Sequence, residues 1–283
     1  MPDHDDLVIQ GPHVLREDVE ILRLMTSASG VEPLGRASCE AYRLHEPEDR
    51  AGVAEACAAA GYDFAFVPRT RALDRVRLVA MDMDSTLITI ECIDEIAALR
   101  GIGGEVAAIT ASAMRGEIDF RASLVRRVAL LEGMPVDALE RVYDERLQLS
   151  PGVPQLFDAL HALGAKTLLV SGGFTFFTDR LAARLGFDET AANTLEIDAG
   201  RLTGRVIPPI VDGVAKAARL YAMRKRLVAG DGVALAIGDG ANDVPMLKAA
   251  DVSVAYRAKA VVRAQATYAI DRCGLDGVLN LFR

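Results

Sequence analysis

The sequence predicts an α/β fold with a doubly wound, Rossmann-like parallel sheet, a helical cap inserted in it and a small N-terminal α/β domain. From residue 77 onward, short apolar runs alternate with segments of helical spacing, which is typical of a parallel sheet with helices on both faces. Residues 91–148 interrupt this alternation, because they contain helical signals in succession and no strand signal. Polar or glycine-rich clusters follow three of the apolar runs, at the edge where open α/β sheets bind ligands.

The composition excludes several classes of function. At 283 residues, the chain is long enough for one large domain or two of ordinary size. Hydrophobic residues make up 51% and charged residues 25%, which is typical of a folded protein and not of a disordered one. The net charge of −8 argues against a nucleic-acid-binding protein and against binding to an anionic membrane, since both need a basic surface. We therefore expect neither a nucleic acid nor a membrane as partner. An anionic small-molecule substrate is compatible with this charge if local positive charge or a metal ion binds it.

Cysteine usage and the first residues favour a cytoplasmic location. The four cysteines are scattered, without a C-x-x-C pair or the spacing of a metal finger, and we expect them to be reduced. The first six residues are acidic and lack the basic and then apolar pattern of a signal peptide. No uninterrupted apolar run reaches the roughly 20 residues that span a bilayer. We therefore expect a soluble, cytoplasmic protein.

Residues 1–75 are predicted to form the small N-terminal domain. Its predicted elements are strands at residues 7–9, 41–44 and 64–67 and helices at residues 14–25 and 50–60. Pro68 and the charged stretch 69–77 are typical of a linker. Because this part contains no catalytic constellation, we expect a regulatory or dimerising role for it, with a homodimer as the expected assembly.

The core domain is predicted from residues 76–91 and 149–283, and the helical cap from residues 92–148. Ser150 and Pro151 favour the start of a helix, as N-cap and first helical residue, and Gly164 favours its end. The predicted core strands are residues 78–81, 166–170, 233–237, 252–255 and 268–270, with a hairpin at residues 195–207. The further core helices are predicted at residues 174–185, 212–227 and 244–249.

Carboxylates follow two of the core strands. Asp82 and Asp84 come directly after the first strand, and side chains two residues apart in a strand point the same way. Two such charges about 4 Å apart near a protein surface repel by roughly 4 kcal/mol, a cost that a cation or a reaction can offset. Asp239 and Asp243 lie in the glycine-rich turn after the strand at residues 233–237. Four carboxylates in one crevice predict a hard divalent cation, Mg²⁺, held by oxygen atoms.

A third cluster follows the strand at residues 166–170. Here Ser171 is followed by Gly172 and Gly173, whose free backbone N–H groups could cradle an anion. Each cluster alone is typical of an ordinary turn, since Asp and Gly are common turn residues. Three of them at successive strand ends of one sheet predict a binding site.

Two further residues have two interpretations each, and a third has one. Arg127 lies on the apolar face of a predicted helix at residues 120–131, so it is either a snorkelling side chain or a guanidinium that pairs with a ligand carboxylate. Glu91 is either an ordinary acidic residue in the first turn of a helix or a ligand contact. Lys216, by spacing alone, belongs with the surface charges of a basic helix.

These clusters resemble the four motifs of the haloacid-dehalogenase-like phosphatases. The motif residues are Asp82-Met83-Asp84-Ser85-Thr86-Leu87, Ser171-Gly172-Gly173-Phe174, Lys216 and Gly238-Asp239-Gly240-Ala241-Asn242-Asp243. Within that family, the stretches 91–97 and 120–127 are similar to those of the phosphoserine phosphatases. The resemblance extends from about Val76 to the C-terminus. It implies a Mg²⁺-dependent enzyme that hydrolyses O-phospho-L-serine to L-serine, the last step of serine biosynthesis.

The same resemblance implies a chemical role for each carboxylate after the strands. Asp82 would be the nucleophile that forms an aspartyl-phosphate, and Asp84 would protonate the leaving oxygen and then activate water. Asp82 and Asp239 would bind Mg²⁺ through their side chains and Asp84 through its backbone carbonyl. Asp243 would support the metal shell.

The remaining site residues would bind the substrate. The residues implied to hold the phosphoryl oxygens are Ser171, Gly172 and Lys216. Glu91 would face the substrate ammonium group and Arg127 its carboxylate, while Asn242 would contact the bound substrate or phosphate. Two other functions stay open. The chain could be a phosphatase or phosphotransferase of the same superfamily with another small phosphomonoester, or a non-catalytic metabolite sensor.

Overall fold

The computed structural model describes residues 5–283, which form two sheets with their helices. Residues 1–4 lie outside the described residues, and with them most of the acidic start on which the expectation of no signal peptide depends. In the described part of the chain, no helix combines the length and the apolar character that crossing a bilayer requires.

The small sheet is antiparallel and contains four strands. They are Asp5–Gly11 (β1), Gly30–Leu34 (β2), Glu40–His45 (β3) and Asp63–Pro68 (β4), in the order β2-β3-β1-β4. Its helices are Arg16–Met25 (α1) and Val53–Ala60 (α2). The sequence analysis missed β2, because this mostly exposed strand contains both Gly30 and Pro33. Proline is tolerated there since β2 lies at the edge of the sheet.

The large sheet has seven strands and confirms the predicted doubly wound fold. Its strands are Val76–Met81 (β5), Lys166–Phe174 (β6), Glu189–Asp198 (β7), Arg201–Ile207 (β8), Val233–Gly238 (β9), Val252–Tyr256 (β10) and Tyr268–Ile270 (β11). Their order is β11-β10-β9-β5-β6-β7-β8, and every neighbouring pair is parallel except β7 and β8. β7 and β8 form the hairpin that the sequence predicted. The chain passes from the small sheet to the large one between Pro68 and Val76.

Four helices lie between β5 and β6 in the chain, where the sequence predicted a helical cap. They are Cys92–Arg100 (α3), Gly103–Met114 (α4), Phe120–Ala129 (α5) and Asp137–Glu145 (α6). The helices of the core are Val153–Ala162 (α7), Thr175–Leu185 (α8), Gly213–Leu227 (α9), Val244–Ala249 (α10) and Ala260–Arg263 (α11).

The central strand β5 buries side chains on both faces of the large sheet. Leu78 and Ala80 share an apolar cluster with residues of α9 and α10. Val79 and Met81 belong to a second cluster, which includes residues of α7 and of the cap helices. A strand covered on both faces needs a continuous apolar sequence, which is what made β5 predictable. Its carboxyl end therefore lies in the middle of the sheet edge, between the ends of β6 and β9.

The helix after the cap begins two residues later than predicted. α7 starts at Val153, and its N-cap is Gly152, with a φ angle of +81°, where Ser150 was expected. Ser150 is buried instead, and its N–H donates to the Leu87 carbonyl at 2.9 Å. A side chain on Gly152 would collide with Asp276, so a glycine is required at this left-handed position.

The small sheet is attached to the end of the chain by buried polar contacts. Asp63 in β4 accepts hydrogen bonds from three consecutive backbone N–H groups, those of residues 271, 272 and 273, at 2.9–3.1 Å. In β3, Arg43 donates to the Phe282 carbonyl at 2.6 Å. Asn280 donates to Gln10 Oε1 at 2.8 Å. These bonds form a seam between the two sheets.

Candidate active site

The first site residue, Asp82, stands directly after β5 and is 5% exposed. Its N–H donates to the Ile237 carbonyl at 3.0 Å, which continues the pairing of β5 with β9. The chain then turns sharply, since Ser85 has a φ angle of +55°. The Asp82 carboxylate accepts the Met83 N–H at 2.7 Å through Oδ1, so the backbone of the turn fixes its orientation.

Three carboxylates from two strand ends form an acidic cluster that could hold a metal ion. Oxygen atoms of Asp82, Asp239 and Asp243 all lie within 4.8 Å of one another. Burial, and next repulsion by Asp243, raise the pKa of Asp82 well above its usual range and that of Asp239 to about 7. An all-oxygen donor set with excess negative charge suits a hard divalent cation. The residues present therefore fit a Mg²⁺ ion.

Lys216 lies inside this cluster, and its side chain is fully buried. Its Nζ is 2.7 Å from Asp82 Oδ1 and 2.6 Å from Asp243 Oδ1. Burial alone would lower the pKa of Lys216, but the carboxylates of Asp243 and Asp82 outweigh burial and raise it, so the ammonium stays charged. The expectation of a surface charge, which came from spacing alone, is wrong. Lys216 shares the buried stripe of α9 with Leu220 and Met223, a helical spacing that could have indicated its burial.

Asp84 is set beside the acidic cluster and is not among its three members. Its Oδ1 accepts the Cys92 N–H at 3.1 Å, at the start of α3. A side chain at Gly173 would come within 2.6 Å of Asp84 Oδ2. Burial, and next repulsion by Glu91, raise the pKa of Asp84 to about 7. Of the four carboxylates predicted to share one crevice, three thus lie together as possible metal ligands, and Asp84 lies beside them near the end of β6.

The turn after β6 is closely packed from the cap side. Ser171 is buried, and its Oγ accepts the Gly173 N–H at 2.8 Å. A Cβ on Gly172 would lie 2.7 Å from the ring of Phe120 in α5, so only glycine lets this cap residue rest on the turn. The pairing of β6 with β7 is irregular between Val170 and Phe174, which frees the backbone of the turn from the ladder.

The cap also presents the two residues that the sequence left ambiguous. Arg127 is partly exposed, yet its Nε is buried without a hydrogen-bond partner in the described structure. Burial lowers the pKa of Arg127, and the charges of Asp94, Glu91 and Asp84 oppose that change. Glu91 precedes α3 as its N-cap residue and accepts the Ser85 Oγ–H at 2.6 Å. Arg127 and Glu91 therefore face the same region as Asp84.

Asn242 lies in the turn after β9, between the acidic cluster and α9. A side chain on Gly240 would collide with its amide oxygen, and a Cβ on Gly213 would lie 2.5 Å from its carbonyl. The loop thus brings Asn242 against the first residue of the Lys216 helix.

Sequence reasoning missed several contacts of the site. Thr86 donates to Asp239 Oδ1 at 2.7 Å and fixes that carboxylate. Arg121 of the cap lies 2.7 Å from Asp212, the N-cap of α9. Asn193 of β7 bonds to the Gly172 carbonyl. Although Thr86 lies within the first motif, all three contacts join residues at least 21 positions apart in the chain, so the local sequence could not reveal them.

Comparison with known proteins defines the class. A family model described as "haloacid dehalogenase-like hydrolase" matches residues 79–248. The chain belongs to the haloacid dehalogenase-like hydrolases. A curated relative named phosphoserine phosphatase, from Albidiferax ferrireducens, is 50% identical over 223 residues, which cover 77% of this chain and 94% of the relative.

Two solved structures match nearly the whole chain. A HAD family hydrolase from Salmonella enterica has a TM-score of 0.87 and 31% identity, and the match covers 99% of this chain and 98% of the other. A probable phosphoserine phosphatase from Vibrio cholerae has a TM-score of 0.82 and 37% identity, covering 98% and 86%. Both the core and the small N-terminal sheet are therefore shared with known structures.

Proposed function

We propose that this protein is a Mg²⁺-dependent phosphoserine phosphatase that hydrolyses O-phospho-L-serine to L-serine and phosphate. The observation that carries the proposal is the unpartnered Nε of Arg127, which shares a region with Glu91 and Asp84. A buried guanidinium nitrogen without a partner is costly, and a substrate carboxylate would satisfy it with a bidentate pair. Glu91 offers the opposite charge for an ammonium group. Relatives named phosphoserine phosphatase support the same substrate.

In this proposal, Asp82 attacks the phosphorus atom. Its Oδ1 is held by the Met83 N–H and by Lys216, which leaves Oδ2 to form the bond while the bond from phosphorus to the serine oxygen breaks. Covalent catalysis by a carboxylate divides one slow hydrolysis into two easier steps. Water then attacks the aspartyl-phosphate, and phosphate leaves with the carboxylate restored.

Asp84 is the proton carrier of both steps. A pKa of about 7 allows it to donate a proton to the leaving serine oxygen and later to accept one from the attacking water. Its contact with the Cys92 N–H keeps the carboxylate beside the β6 turn. The general acid and the nucleophile are thus held by the same short turn after β5.

Mg²⁺, when bound, would neutralise the acidic cluster and the negative charge of the phosphoryl group. The side chains of Asp82 and Asp239 and the backbone carbonyl of Asp84 would hold it, with Asp243 in support. The residues that we assign to the phosphoryl oxygens are Ser171, Gly172, Lys216 and Asn242. The cap, through Phe120 on Gly172, would exclude water from the first step.

The decisive experiment measures phosphate release from L-phosphoserine with Mg²⁺ and with EDTA. We expect release that requires Mg²⁺ and a much lower kcat/KM for p-nitrophenyl phosphate, which lacks the amino and carboxylate groups. Equal kcat/KM for the two esters would contradict the substrate assignment and favour another small phosphomonoester. No release from either ester would leave the metabolite-sensor interpretation.

We extend the proposal to assembly and location. Ile21 and Leu24 on α1 are large apolar residues that are exposed, which supports a homodimer formed through residues 1–75. Sedimentation of the protein would test this, since a monomer at micromolar concentration would contradict it. A cytoplasmic location stays a prediction from the sequence.

A further inference from the structure

Asn193 in β7 is fully buried, and within the described residues its side-chain hydrogen bonds go to two backbone segments of the site. Its Nδ2 donates to the Gly172 carbonyl at 2.8 Å and to the Val211 carbonyl at 3.3 Å. Its Oδ1 accepts the Val211 N–H at 2.8 Å. An amide side chain has two N–H donors and one carbonyl acceptor, so its hydrogen-bonding groups are committed to these two segments.

The first segment is the turn after β6. Gly172 lies within the irregular stretch of the β6–β7 pairing, and the Asn193 side chain gives its carbonyl a partner there. The Gly172 carbonyl and the Gly173 N–H belong to one planar peptide group. Asn193 binds one edge of that plane and Ser171 Oγ binds the other. The orientation of the turn is therefore fixed from both sides.

The second segment leads into the helix that carries Lys216. Val211 directly precedes Asp212, the N-cap of α9, whose Oδ1 accepts the Ala215 N–H at 2.9 Å. The Lys216 N–H donates to the Asp212 carbonyl at 2.9 Å in the same turn. By holding Val211 at both its N–H and its carbonyl, Asn193 fixes where this first helical turn begins.

We propose that Asn193 is a positioning residue for phosphoryl transfer. It fixes the distance between the Gly172 turn and the start of α9. The phosphoryl-binding groups of the turn and Lys216 of α9 can then contact the same phosphoryl group. This inference rests on the proposed function. A displacement of about 1 Å in such a constellation can lower the rate roughly 100-fold.

The test compares Asn193→Ala with Asn280→Ala, a matched control in the seam between the sheets. Asn280 is also fully buried, and its amide donates to Gln10. We expect Asn193→Ala to lower kcat by roughly 10- to 100-fold for both L-phosphoserine and p-nitrophenyl phosphate. KM for phosphoserine should change less than about threefold, because Arg127 and Glu91 are intact. Asn280→Ala should lower the melting temperature without changing kcat.

A second variant, Asn193→Asp, preserves the shape and the acceptor for the Val211 N–H. It replaces the Nδ2 donor with an oxygen, which cannot donate to the Gly172 carbonyl. We therefore expect its kcat to fall as far as that of the alanine variant. Either folded variant with a kcat within twofold of wild type would overturn the inference, as would failure of both variants to fold, since Asn193 would then be structural only. A wild-type protein that hydrolyses neither ester would instead overturn the proposed function itself.

Discussion

The two ends of the site differ in whether the fold pairs their cationic side chain. At the core end, Lys216 is buried between Asp82 and Asp243, with both contacts at 2.7 Å or less. At the cap end, Arg127 has a buried Nε without a hydrogen-bond partner among residues 5–283, and Glu91 is exposed beside Ser85. The core end is thus organised before substrate arrives, whereas a ligand must complete the cap end. Preorganised charges accelerate the reaction, and an unsatisfied polar group selects the substrate.

The largest expected effect is at the core end, in Asp82→Asn. An amide cannot serve as the nucleophile, and it also removes the negative charge that Lys216 neutralises. We expect kcat to fall by about 10⁴-fold or more for both L-phosphoserine and p-nitrophenyl phosphate. The fall in kcat is measured as phosphate release, with a variant preparation that contains no wild-type enzyme. A variant with full turnover would exclude a covalent role for Asp82.

Lys216→Met tests whether the ammonium also stabilises the fold. The substitution keeps an unbranched chain but leaves two buried carboxylates without their counter-charge. We expect the free energy of unfolding to fall by about 3–5 kcal/mol in EDTA, and Mg²⁺ to restore part of it by binding the cluster. We also expect kcat to fall by roughly 10³-fold. Urea unfolding with and without Mg²⁺ measures the first effect, and unchanged stability in EDTA would refute it.

Arg127→Ala tests the cap end, with Arg126→Ala as its neighbour control. We expect kcat/KM for L-phosphoserine to fall by roughly 30- to 3000-fold, which corresponds to losing about 2–5 kcal/mol of a buried charge pair. The value for p-nitrophenyl phosphate should stay within about threefold, since that ester has no carboxylate. Arg126 is exposed, and its substitution should change neither value. An equal loss on both esters would mean that Arg127 serves the phosphoryl group and not the amino-acid part.

The same substitution should not destabilise the protein. Because the Arg127 Nε is buried without a partner in the part of the chain that the structure describes, its removal relieves a desolvation cost, and we expect an equal or higher melting temperature. A fall of more than a few degrees would show that Arg127 is held by the fold itself. That outcome would remove the contrast between Lys216, which the fold pairs, and Arg127, which a ligand would pair.

The smallest effect is expected for Arg121→Ala, which breaks the contact between the cap and Asp212. The Arg121 side chain is 59% exposed, and such pairs contribute less than about 1 kcal/mol. We expect kcat/KM to change by no more than about fivefold, equally for both esters, and the difference from wild type to shrink in 0.5 M salt, roughly three times physiological ionic strength. A loss of about 100-fold would instead make this pair a determinant of cap closure.

The sequence predicted the features that depend on local chemistry. The apolar run of β5, the helix α10 and the hairpin of β7 and β8 are each visible in a short window. Prediction from the sequence failed where a contact with a residue far away in the chain determines the structure. α7 begins at Val153 because Gly152 lies against Asp276, more than 120 residues away. Likewise, nothing near Asn193 in the chain indicates that its amide bonds to Gly172 and Val211.

Through Asp63, the small sheet stabilises the end of the chain. The Asp63 carboxylate accepts three successive amide hydrogens from residues 271–273, which follow the last strand of the large sheet. Cutting the chain after residue 75 would strip those amides of their acceptor and uncover the apolar surface around Leu275 and Phe282. The alignment with the curated relative from Albidiferax covers 94% of that relative but only 77% of this chain. In this chain, the small sheet and the segment from residue 271 onward stabilise each other. We therefore expect both sheets to unfold in one cooperative transition.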